Sequence, residues 1–133
     1  MMKAFGLAAT LLAVANTPLQ AQEAPLSEDR KEFLAELMAM GAACSELDYV
    51  VRFERMGEWV TQQLSTQPES VIEEILNLSD SKVEEMQAEA QRLRDMRRGN
   101  VRDRAVEEHY ARSVERCDRM ATHEQGGDFI VRR

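Results

Sequence analysis

Aromatic residues make up only 5% of the 133-residue chain, with one Trp, two Tyr and four Phe, and there are only two Cys, two His, three Pro and six Gly. Each scarcity excludes something. Six glycines and three prolines exclude collagen-like and Pro-rich material. Two histidines and two cysteines leave little from which to build a nucleophilic or metal site. No Gly-rich phosphate loop and no Gly-x-Ser-x-Gly elbow is present. Basic charge is in deficit, with a net charge of -7. That balance excludes nucleic acid as a partner, because phosphate binding needs a net basic face. What remains is one acidic domain with a 44% hydrophobic complement, enough to fold.

The first residues read as a secretory signal. Lys3 supplies the positive start, Ala4 to Ala15 is a small-apolar run without charge, and Pro18 breaks it. The run is too short to span a bilayer. Ala21 is the small residue at the expected cleavage point, so residues 1–21 are a signal peptide of bacterial type and residues 22–133 a single domain. No Cys lies near that point and no later apolar run is long enough for a membrane span, so no membrane anchor is expected. The location implied is periplasmic or secreted.

Cys44 and Cys117 agree with export. An even number of cysteines in an exported domain of this size reads as a disulfide, against two free thiols or a bridge between chains. A bridge would close most of the domain into one loop.

After Pro25 the pattern is helical throughout. Phe33, Leu37, Met40, Cys44, Leu47 and Val51 recur in steps of four and three, and Phe53, Met56, Val60 and Leu64 continue the stripe. This predicts helix over 28–65, with Gly41 and Gly57 as weak points. Thr66, Pro68 and Glu69 fit a second helix start, with Ser70 and Glu73 as an alternative capping box, leading into a short helix through Val71, Ile72, Ile75 and Leu76. Ser81 with Glu84 predicts a third, buried through Val83, Met86, Ala90 and Leu93 and ending at Gly99. Asn100 is placed to cap a fourth, with Val106, Tyr110, Val114, Cys117 and Ala121 on its buried side, followed by a tail from about residue 126. The expected fold is all-α: a small bundle of about four helices, clamped from first to last by Cys44–Cys117. No alternating run argues for a sheet.

Charge is divided along the chain. Residues 23–91 carry 16 acidic and 5 basic side chains, whereas residues 92–133 carry 8 acidic and 11 basic, all arginine. Six arginines fall between Arg92 and Arg104; of these Arg97, Arg98 and Arg102 are candidate contacts for an acidic partner. A solvated segment paired locally with Asp95 and Asp103 is the plainer reading.

No catalytic constellation emerges, so the chain does not read as an enzyme. No cofactor and no metal ligands are assigned. Cys117 is followed by Asp118, Arg119 and Met120, which rules out covalent haem attachment. Met40 with His109 for noncovalent haem, or Met38 with Met40 for Cu(I), is outweighed by ordinary core use of methionine. Trp59, in Met56-Gly57-Glu58-Trp59-Val60, sits beside a glycine that lets another backbone approach; it fits either an interface anchor or a core filler. Phe129, in the tail Phe129-Ile130-Val131, is a second candidate contact, either folded back on the bundle or added to a partner.

The Ala42-Ala43-Cys44-Ser45-Glu46-Leu47 context, the Pro68-Glu69-Ser70 helix start and a last helix with Cys117 before a Gly-containing tail give a layout that resembles small exported two-cysteine helical bacterial proteins of a domain-of-unknown-function type. The resemblance covers most of residues 30 to 130 and implies an exported helical domain without an assigned activity. Periplasmic stress chaperones carrying a Leu-Thr-x-x-Gln motif do not fit, since Val60-Thr61-Gln62-Gln63-Leu64 departs at both ends. The expected function is a protein-protein interaction module of the cell envelope, of inhibitor, immunity or adaptor type. A small-ligand or metal-binding bundle is the alternative.

Overall fold

The computed structural model describes residues 25–133; the expected signal peptide lies outside them. Helix α1 spans Glu28–Ser45. Ser27 caps it by accepting the Arg30 amide at 3.2 Å, and Glu28 and Asp29 complement the positive end of the helix. Leu34, Ala35, Leu37, Ala39, Met40, Gly41 and Cys44 are all buried. A helix buried on so much of its circumference is the centre of the fold, with the other elements laid around it.

The helix predicted over 28–65 is interrupted, though at neither Gly41 nor Gly57. After a turn, Tyr49–Val51 forms a strand, β1, before helix α2 resumes at Phe53–Ser65. β1 pairs antiparallel with β2, Ile130–Arg132, in the register Tyr49↔Arg132, Val50↔Val131 and Val51↔Ile130. The Arg52 amide to the Phe129 carbonyl and the Arg133 amide to the Asp48 carbonyl extend the ladder. Tyr-Val-Val and Ile-Val-Arg are good strand formers, but three residues on each side are too few to show as an alternating pattern. The ribbon exists because the last residues return to the segment between α1 and α2.

Helix α3, Glu69–Asp95, also corrects an expectation: it runs unbroken through Ser81, where a new start was predicted. The apolar spacing stays in phase across that point, with Ile75 and Ser79 buried against the core and Lys82 reaching Glu32 and Glu36 of α1 at 3.1 Å each. Packing along α1 outweighs the small helix penalty of serine. The helix ends at Asp95 rather than at Gly99, which adopts φ 145° in the turn that follows. Helix α4 is Asn100–Thr122; Gly99 occupies the cap position, so Asn100 does not cap the helix.

Cys44 and Cys117 form the predicted disulfide, joining α1 to α4 with a Cα–Cα distance of 5.8 Å. Both are fully buried beside Leu34, Leu37, Met40, Ile75 and Met120. The chain beyond α4 is no loose tail. A short 3-10 turn at Gly126–Asp128 returns it beneath the end of α4, where a Cβ on Gly126 would lie 2.1 Å from the Met120 carbonyl oxygen. Only glycine fits there, and the return delivers Phe129 and Ile130 into the core. The architecture is thus the expected disulfide-clamped four-helix domain, closed at one end by a two-stranded ribbon. No helix among the described residues is long and apolar enough to cross a membrane.

Candidate interaction surfaces

Trp59 is half-buried and spends most of its ring inside the domain. It packs edge-on to Phe33 at 6.1 Å between centroids and against Phe129 at 5.4 Å, while the Arg30 guanidinium lies 5.9 Å over its face. Phe33 in turn stacks on His123 at 3.8 Å. This aromatic seam ties α1, α2 and the C-terminal return together. Of the two aromatic candidate contacts from the sequence, Trp59 therefore keeps only an edge, in a groove with Arg55, Glu58 and Gln62, and Phe129, 3% exposed, is core.

The outward side of α2 is different. Phe53 is 49% exposed and lines an open groove with Glu54, Gly57, Glu58 and Thr61. A Cβ on Gly57 would meet nothing within 4 Å among the described residues, so no packing there accounts for glycine here. Gly57→Ala is expected to raise the unfolding free energy by about 1 kcal/mol, measured by urea titration, since alanine removes the helix penalty without a clash. An unchanged or lower midpoint would mean that α2 needs its glycine.

The most distinctive surface is the hairpin made by the far ends of α3 and α4. Between Glu89 and Arg112, among the described residues, the polar side-chain contacts between elements run only between these two helices, as in Arg112 to Glu89 at 3.2 Å and the Arg102 Nε to the Leu93 carbonyl at 3.1 Å. Arg102 thereby caps α3, a structural task that takes it out of the free arginine group. Arg97 and Arg98 are exposed at the tip and form no ion pair among the described residues. Val101 is 76% exposed beside them, and Val106 and Tyr110, predicted to be buried, are exposed as well. The core-facing stripe of α4 becomes fully buried only from Cys117, because α1 does not reach the hairpin's outer half.

Two polar clusters hold the body together. Glu36 accepts from Arg116 Nε at 2.8 Å and from Lys82, linking α1, α3 and α4. Tyr49, fully buried, donates its hydroxyl to Asp118, which also binds Arg132 at 2.8 and 3.0 Å. The Tyr49 hydrogen bond and the Arg132 guanidinium hold Asp118 below the usual carboxylate range. Burial, then the Asp118 carboxylate, push the Tyr49 phenol up to about 12. The protonated phenol is thus favoured by folding; its contribution is complete below the ordinary value of 10 and is lost as pH rises from 10 towards 12. An alkaline titration should show cooperative unfolding in that window, less steep for Tyr49→Phe. Neither partner was visible in the sequence, since Tyr49 and Asp118 stand far apart with no local signature.

Beside the Glu36 cluster lies a cleft of about 230 Å3 between α1 and α4, lined by Phe33, Arg116, Arg119, Met120 and His123. Among the described residues no three His, Cys, Asp or Glu side chains gather as a metal ion would require. Met40 is buried in the core, and His109 lies at the hairpin beside Glu89, 4.0 Å away. No protein-family model, no curated protein and no solved structure matches the chain.

Proposed function

We propose that the protein is an exported interaction module of the cell envelope that meets a protein partner through the α3–α4 hairpin. The observation that carries this reading is the hairpin tip, where Arg97 and Arg98 are exposed and form no ion pair or side-chain hydrogen bond among the described residues, and Val101 is 76% exposed. An arginine pair next to exposed aliphatic surface is the chemistry of an interface anchor. The acidic remainder of the chain steers association and repels like-charged surfaces. Action is by steric occlusion or scaffolding, with a rigid domain presenting the hairpin. Export is supported by the Lys3 and Ala4–Ala15 pattern and by the buried disulfide, which oxidising compartments favour.

The test is in-cell photo-cross-linking with the reactive residue at Val101, compared with the same residue at the exposed Glu108 on the α4 shaft. A discrete adduct from Val101 and none from Glu108 supports the reading. The same products from both positions, or none from either, overturns it. Intact mass of the purified protein checks export: the chain should begin near Gln22 and be lighter by two hydrogens than its reduced form.

A further inference from the structure

Helix α3 carries its charge as a gradient. Its first four turns hold Glu69, Glu73, Asp80 and Glu84, all exposed and without an ion pair among the described residues. Its end holds Arg94, bonded only to Gln91, followed by the free Arg97 and Arg98. Along the same flank Leu76, Val83 and Ala90 recur every seventh residue, with Leu76 44% exposed and the other two half-buried. Seven-residue spacing keeps side chains on one line of a helix, the pattern by which helices pair. At 1.5 Å per residue α3 is about 40 Å long, ample for such a seam.

We infer that the partner seated on this flank is a second copy of the chain, with the two α3 helices antiparallel and a two-fold axis at Val83. That register sets Val83 against Val83 and Leu76 against Ala90. It also brings Glu73 of each copy towards Arg94 of the other, and Glu69 towards the turn after α3 that carries Arg97. The charge gradient is complementary to itself only when reversed, so a parallel pair would repel at both ends. A two-fold contact of this kind uses one patch twice and closes at two chains. A single apolar line with charged ends makes a weak, salt-sensitive dimer. The inference rests on the reading of this protein as an interaction module and names the partner.

Two charge-reversal variants of the mature, disulfide-bonded protein test it by sedimentation equilibrium. One is Glu69→Arg with Glu73→Arg; the other is Arg94→Glu with Arg97→Glu. The wild-type protein should dimerise at low salt and dissociate as salt rises. Each variant alone should associate at least about tenfold more weakly, because like charges now oppose across the axis. An equimolar mixture should recover the affinity, since the acidic end of one variant then faces the basic end of the other at both contacts. That recovery also shows that both variants are folded. A wild-type protein monomeric at low salt, variants that dimerise unchanged, or a mixture that fails to recover overturns the inference. A monomeric protein that still gives a Val101 adduct with a different polypeptide would overturn the second copy alone and leave the interaction reading standing.

Discussion

Replacing both cysteines, Cys44→Ala with Cys117→Ala, is expected to lower the unfolding free energy by roughly 4 kcal/mol, the chain-entropy value for releasing a loop of this size. The bridge spans 73 residues and joins the central helix to the last one. Without it the denatured chain regains freedom over most of the domain, while the native packing loses only two sulfur atoms. Against a total stability of about 5–15 kcal/mol, that loss leaves the domain marginal. Urea titration of the wild-type protein with and without reductant should show the same displacement, and the double variant should show none on adding reductant. A reduced protein as stable as the oxidised one would mean that the noncovalent core suffices alone.

Phe129→Ala should cost about 3–5 kcal/mol, the range for truncating a large buried side chain. Phe129 stands four residues before Arg133, where a substitution is ordinarily tolerated. Here the ring is buried against Trp59, so its loss undermines the aromatic seam, while the backbone carbonyl that accepts the Arg52 amide at 2.8 Å is retained. Because Trp59 is the only tryptophan, its fluorescence reports on the site directly. The variant should show red-shifted emission under native conditions together with a lowered midpoint. Phe53→Ala, on the exposed side of α2, is the control and should stay within about 1 kcal/mol of the wild type. If the two variants behave alike, the C-terminal return is not part of the core.

The helical class was legible because apolar residues at three- and four-residue steps leave only one way to bury them. Leu37, Met40 and Cys44 on α1, and Ile75, Met86 and Leu93 on α3, stand where that spacing put them. The boundaries were less legible. Ser81 with Glu84 has the form of a helix start, yet α3 passes through it, because a capping pattern states a local option and the contact with α1 selects against it. Val106 and Tyr110 fit the stripe of α4 as well as Cys117 does, but periodicity carries no record of where the partner helix ends. Among the candidate contacts, Arg97 and Arg98 lie at the surface, Arg102 caps α3, Trp59 is half-spent in the core and Phe129 wholly so.

By itself the sequence determined the all-α class, the pairing of the only two cysteines and the uneven division of charge. These depend on residue type and spacing along one segment, or on there being a single way to pair two thiols. The tertiary structure alone decided that Tyr49–Val51 is a strand, that Gly126 permits the chain to turn back, that Tyr49 meets Asp118, and that the α3–α4 hairpin reaches beyond the core with Arg97 and Arg98 exposed at its tip. Each of these depends on which distant segments come together, and a contact between segments leaves no periodic trace in either one.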